Sequence, residues 1–168
     1  MLTFEPFFSH EKAQKAQREM PHDHPRQLIE KLLVHDDRIE ARSSEINLIC
    51  DLTRETSFQI HKFLRSGHLE KVYENALAHR LIKQGLKVVQ QYPLDVCDED
   101  GTLSGHFCAD LFIDNRLVVE IKACRSLVDE HVAQLLGYLR ASRIRHGLLI
   151  NFGGSKLQIK KYILDRDN

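Results

Sequence analysis

The chain predicts an α/β sandwich built on a mixed sheet. Three observations carry that prediction. Two stretches of helical periodicity precede three strand-like runs. A third helical stretch then separates the third run from a fourth, which makes those two strands parallel. Finally, the run from Asp110 to Lys122 alternates so regularly that its register can be derived. At 168 residues the chain suits one domain with an appendage.

Residues 1–43 are polar and weakly patterned. They are expected to form an N-terminal extension of helix and loop, with the folded domain over 44–168. Ser9 can cap a short helix over Glu11–Glu19 that Pro21 ends, and Pro25 can open another over Gln27–Val34. His22-Asp23-His24 offers two histidines and no third ligand, which suits a solvated loop better than a metal. A long helix begins at Ser44, with Ile46, Ile49, Cys50, Thr53, Ser57, Ile60, Phe63 and Leu64 as its buried stripe, and Gly67 breaks it. The second helix runs from Leu69 to Gln84. Its stripe is Leu69, Val72, Tyr73, Ala76, Leu77 and Leu81, and Gly85 supplies the left-handed stop.

Leu86–Val96 reads as a strand in which Pro93 marks an edge or a bulge. Asp98 to Gly101 is a turn. Leu103–Ile113 and Leu117–Ala123 are the next two strands. Ser126 or Asp129 caps a helix that reaches about Ser142, with Gln134 and Tyr138 one turn apart on one face and Val132, Leu136 and Leu139 on another. The solid apolar run Gly147–Phe152 fits a central strand. Leu157–Ile163 alternates apolar and basic residues and closes the sheet.

The hairpin is the most informative stretch. Ala109, Leu111, Ile113, Leu117, Val119, Ile121 and Ala123 form one apolar face, which leaves Asp110, Glu120 and Lys122 on the other. A two-residue turn would mix the faces. A three-residue loop, Asp114-Asn115-Arg116, keeps them apart and sets Asp110 across from Glu120, with Asn115 or Arg116 left-handed. Opposed β-carbons lie about 4.5–5.5 Å apart. Two carboxylates at that distance repel, so a divalent cation or Lys122 must compensate. As an ordinary strand, Glu120 and Lys122 would be no more than a solvated ion pair.

The formal net charge is zero, so no bulk field draws the molecule to nucleic acid or membrane. The charge is nevertheless uneven. Arg140, Arg143, Arg145, Lys156, Lys160 and Lys161 crowd the C-terminal part, whereas acids from Asp95 to Glu120 crowd the middle. No apolar run is long enough to span a bilayer, and no secretory h-region is visible. The four cysteines lack any C-x-x-C spacing and read as free buried thiols, consistent with a cytoplasmic location.

Taken together, Gly67-x-x-Glu70-x-x-Tyr73, Asp110, Glu120-Ile121-Lys122, Gln134-x-x-x-Tyr138 and the run Gly147–Gly153 resemble the GxxExxY family of the PD-(D/E)XK nuclease superfamily. The Gln134/Tyr138 pair is similar to the RecB-like branch. The resemblance covers roughly residues 46–164 and departs only in Ala109, where a proline is usual. It implies a restriction-endonuclease-like three-layer sandwich and metal-dependent hydrolysis of nucleic acid, DNA ahead of RNA. It implies Mg²⁺ or Mn²⁺ held by Asp110, Glu120 and the Ile121 carbonyl, with Glu70 as a further ligand. Lys122, Gln134 and Tyr138 would position water or phosphate, and the six basic residues named above would contact flanking phosphates.

Two other readings compete. A binding or assembly module could retain this fold without turnover, since fold alone does not fix function. A metal-independent nucleic-acid binder ranks last, because no aromatics interleave with the basic residues. A homodimer is expected only because symmetric dimers are common.

Overall fold

The structure, a computed structural model, describes residues 25–165, and their side chains from residue 41 onward. The chain divides into two units, Met1–Arg42 and Ser43–Asn168. The expected helix over Glu11–Glu19 and the His22–His24 stretch lie outside the described residues. Helix α1 spans Pro25–Leu64 without a break. The sequence reading placed a short helix at Gln27–Val34 and a fresh start at Ser44. No Gly or Pro interrupts residues 26–64, and the join holds Arg38, Glu40, Ala41 and Arg42, all good helix formers.

The second unit has the expected element order. Helix α2 (Glu70–Lys83) leads to strands β1 (Val88–Cys97), β2 (Leu103–Ile113) and β3 (Leu117–Lys122). Helix α3 (Asp129–Ser142) and strands β4 (His146–Asn151) and β5 (Gln158–Ile163) complete it. The sheet order is β1-β2-β3-β4-β5, with β3 and β4 parallel and the other pairs antiparallel. β1 is an edge strand, as Pro93 suggests.

Helices cover both faces of the sheet, making three layers. On one side Ile46, Ile49 and Ile60 of α1 and Tyr73, Leu77 and Leu81 of α2 pack on Leu111, Ile113, Leu117, Val119, Ile121 and Ile150. On the other, Leu135, Tyr138 and Leu139 of α3 pack on Leu94, Phe112, Val118 and Leu149. Strand β4 is therefore apolar on both faces, which explains the unbroken Gly147–Phe152 run.

Several details depart from expectation. Phe63 of α1 is exposed, and so are Leu69 and Val72, because α2 turns Tyr73, Glu74, Leu77, Ala78 and Leu81 inward. The Phe63 ring instead meets the Arg80 guanidinium, 5.9 Å from its centroid. Val128, not Ser126 or Asp129, occupies the N-cap of α3, and its N–H donates to Nδ1 of His131. All four thiols are free, but Cys50 alone is buried.

Ala109 is buried against α3, on the face opposite Leu111. β1 and β2 both exchange faces where Gln91 lies beside Asp110. Val88 packs on the α1–α2 side while Tyr92 and Leu94 pack on the α3 side. Gln91 makes the switch with a left-handed backbone, φ 50°. A strict period of two cannot foresee that step.

After β4, Gly153 passes hard against the exit of β3. A β-carbon there would collide with the backbone of Ala123 and Cys124. Gly105 has open space around it. Overpacking costs typically about 1–3 kcal/mol, so Gly153→Ala should lower stability in urea by at least that much, and Gly105→Ala by less than about 0.5 kcal/mol. Equal losses at the two positions would show that crowding at Gly153 is not the constraint.

Candidate active site

The site forms where the β2–β3 ladder opens. Pairing runs from Ile113↔Leu117 to Leu111↔Val119, the register of a three-residue loop. Asp114 and Asn115 carry the left-handed angles, φ 48° and 54°, so the strained pair begins one residue earlier than expected. That register sets Asp110 across from Glu120, but the strands have parted there. Ile121 N–H donates to Asp110 Oδ2 at 2.7 Å. The carboxylate thus replaces the missing ladder carbonyl. The carbonyl of Lys122 accepts Phe152 N–H at 2.7 Å and so faces β4. Alternation along the strand then turns the Ile121 carbonyl toward β2, beside Asp110.

Glu120 is 2% exposed. Lys122 Nζ donates to its Oε1 at 2.7 Å, and its Oε2 is buried without a hydrogen-bond partner. Burial, and then the charge of Asp110, push the Glu120 carboxyl up to about 7. Asp110 is raised as well, by burial first and against the pull of the Ile121 N–H. Burial draws Lys122 down, but the hydrogen bond and charge of Glu120, with Glu70 and Asp110, outweigh it and leave the ammonium above its ordinary value.

The remaining predicted residues fall into two groups. Glu70, at the start of α2, accepts Ala123 N–H on Oε1 at 3.0 Å, just past Lys122. Gln134 Nε2 donates to the Tyr138 hydroxyl at 2.6 Å. Burial, and then the Glu120 charge, raise the Tyr138 phenol. The basic residues do not all converge. His146 pairs with Leu117 and Asn151 with Lys122, so Arg145 lies roughly 16 Å or more below the Lys122 end of the sheet. Arg145 also pairs with Asp165, and Lys161 turns to Asn47 on the α1 side. Arg140 and Arg143 are exposed at the far end of α3. Lys160 shares the Glu120 face, through Leu149, and Lys156 follows β4 at the Lys122 end.

Sequence reasoning missed Glu74. It is 2% exposed and receives hydrogen bonds from Lys71, Gln90 and Gln91. Its one signal was its place next to Tyr73, inside the true apolar stripe of α2.

Divalent cations of the hard type take oxygen ligands and often only one or two carboxylates. The site offers Asp110, Glu120 and the Ile121 carbonyl, with an unpartnered oxygen on Glu120. Among the described residues, no three His, Cys, Asp or Glu side chains form a ready ligand cluster. Two carboxylates and a carbonyl fit a cation that keeps several waters.

An α/β sandwich with an Asp on one central strand and Glu-x-Lys on the next has the layout of a restriction-endonuclease-like nuclease domain. Residues 47–162 match the family model of the PD-(D/E)XK nuclease superfamily, and the chain belongs to that superfamily. Its nucleases act on nucleic acid and generally use divalent metal ions. Comparison with curated proteins gave no match. Among solved structures the chain is similar to one described as the crystal structure of SSO0001, at 15% identity and TM-score 0.41, over 92% of this chain and 75% of that one. Among the described residues no helix is long and apolar enough to cross a membrane.

The raised Glu120 carboxyl has a consequence for stability. The folded protein holds this proton more tightly than the unfolded chain. Its contribution is complete below the ordinary glutamate value of 4.5 and is lost as pH rises through about 7. At roughly 1.4 kcal/mol per pH unit between those two values, the whole loss is about 3.5 kcal/mol by pH 8, of which roughly 2.5 kcal/mol falls between pH 5 and pH 8. Urea unfolding in EDTA should therefore show Glu120→Gln gaining on wild type between pH 5 and pH 8, by about 2.5 kcal/mol. A difference that stays constant with pH would refute the burial argument.

Proposed function

We propose that this chain is a metal-dependent nuclease that hydrolyses phosphodiester bonds, in DNA ahead of RNA. Its motif spacing fits the GxxExxY group and the RecB-like branch of the superfamily. The observation that carries the proposal is Glu120. Its carboxylate is buried, faces Asp110 across an opened ladder, and keeps one oxygen without a partner. A purely structural strand has no use for that arrangement, which raises both carboxyls.

Asp110, Glu120 and the Ile121 carbonyl would hold Mg²⁺ or Mn²⁺, which when bound neutralises phosphate charge and lowers the pKa of a bound water. Glu70 stands at the exit of β3, where it can accept from that water. In hydrolysis the water oxygen bonds to phosphorus, the P–O bond to the leaving oxygen breaks, and that oxygen takes a proton. Lys122 stays protonated near neutral pH, so it donates to phosphate oxygens and does not act as the base. The Tyr138 hydroxyl accepts from Gln134 and keeps its own proton to donate. Lys156 and Lys160 suit flanking phosphates. Arg140, Arg143, Arg145 and Lys161 would serve only a longer substrate that wraps the sheet.

Supercoiled plasmid, linear duplex, single-stranded DNA and RNA should be incubated with Mg²⁺ or Mn²⁺. Wild type should cut at least one, with Asp110→Ala and Lys122→Ala at least about 100-fold slower. Undiminished cutting by clean Asp110→Ala would sink the assignment. No cutting of any substrate by the folded protein would leave a silent nuclease-fold interaction module as the better reading. Ion binding requires an ionised Glu120, so Mn²⁺ affinity measured by calorimetry should rise with pH through about 7 and level off above it. A flat profile from pH 6 to 8 would remove Glu120 from the ligand set.

A further inference from the structure

The Glu74 carboxylate is the one buried acid near the site that the reaction outlined above does not use. Both of its oxygens already accept hydrogen bonds. Lys71 Nζ and Gln90 Nε2 donate to Oε1 at 2.7 and 2.9 Å, and Gln91 Nε2 donates to Oε2 at 2.8 Å. Its charge also works against Asp110, raising that carboxyl further. A third carboxylate here needs a reason.

Gln91 supplies one. The same Nε2 that donates to Glu74 also donates to Asp110 Oδ1 at 3.3 Å. An amide nitrogen has two protons, and each goes to a different carboxylate. A glutamine beside Asp110 alone could turn over and present its oxygen, which would repel the carboxylate. With a carboxyl oxygen to accept on either side, the nitrogen and not the oxygen fits between them. The Cys108 thiol lies 3.5 Å from the Gln91 carbonyl oxygen and donates to it, in agreement with that orientation. The backbone is committed as well. Gln91 holds φ 50°, a strained conformation for a non-glycine residue, at the point where β1 and β2 exchange faces.

We propose that Glu74 and Gln91 are positioning residues that fix Asp110 for the cation, with Glu74 acting through Gln91. Between Gln91 on Oδ1 and Ile121 N–H on Oδ2, the carboxylate is held from both sides. This inference rests on the metal-site reading above.

The test has one readout without metal and one with it. In metal-free protein, the Gln91 side-chain amide protons, assigned by their loss in Gln91→Met, should resonate downfield and exchange slowly. They should move toward free-amide positions in both Glu74→Gln and Asp110→Asn. With Mn²⁺, affinity read by water-proton relaxation should fall about 10-fold in Gln91→Met and in Glu74→Gln, the lower end for partners that orient a ligand. The double variant should bind no more weakly than Gln91→Met alone. Gln91 is exposed, so Gln91→Met should fold with a nearly unchanged melting midpoint. Unchanged affinity in Gln91→Met, or losses that multiply in the double variant, would overturn the proposal while leaving the metal site intact. Wild type failing to bind Mn²⁺ at all would overturn the metal site, and this role of the clamp with it.

Discussion

The hydrogen bond from Ile121 N–H to Asp110 is the interaction on which the site depends. Ile121 is fully buried, and its N–H points to where β2 has already turned away. A buried N–H left unpaired costs about 1–3 kcal/mol. A side-chain carboxylate at the mouth of an opened ladder would normally find water. Here it substitutes for the backbone of its own strand. The fold and the site are thereby coupled, because the carboxylate that closes the ladder is the one that stands across from Glu120. This also makes Asp110→Ala a compound change, removing both a carboxylate and an acceptor. Asp110→Asn keeps the acceptor, so comparing the two separates chemistry from structure.

The spacing of Gly67, Glu70 and Tyr73 gains a physical account from the same frame. Tyr73 is fully buried, stacked on Phe152 with ring centroids 4.5 Å apart. Its hydroxyl donates to the Arg65 carbonyl and accepts from His68 N–H, closing the turn that Gly67 makes at φ 112°. With that turn fixed, α2 starts one turn before Tyr73, and Glu70 reaches the exit of β3. His61 meets the Gly154 carbonyl from the side of α1. Asn151, fully buried, accepts from both Cys124 and Gly153 N–H. The run from Asn151 to Gly154 therefore ties α1, α2 and the end of β3 together.

Much of this was legible in the chain because the central strands alternate cleanly between Leu111 and Ile121. The turn length, the facing of Asp110 and Glu120 and the parallel β3–β4 pair all follow from that stretch and from the helix between. What stayed hidden involved departures from periodicity. Ala109 changes face because Gln91, an ordinary strand residue by composition, adopts a left-handed backbone. Glu74 reads as a surface acid on α2 until the rotation of the helix is known, and a misassigned Leu69 and Val72 concealed that rotation. The spread of Arg143 and Arg145 away from the site is equally invisible to a charge tally, since α3 runs back along the sheet before they occur.

The state of Lys122 then bears on the division of labour in the proposed reaction. A lysine so enclosed would lose its proton readily if burial acted alone. It keeps the proton because Glu120, Glu70 and Asp110 all face it. A cation entering between Asp110 and Glu120 would bring positive charge beside that ammonium and weaken its hold on Glu120 Oε1. Lys122 would then be free to swing toward an incoming phosphate, whose negative charge restores what the carboxylates no longer supply. On this argument the Glu120–Lys122 pair is the resting arrangement of the site. On the proposed reading the net charge there would change little on loading, because cation and phosphate carry opposite signs. A neutral protein with an acidic site can in this way receive a polyanion without a large basic field to draw it in.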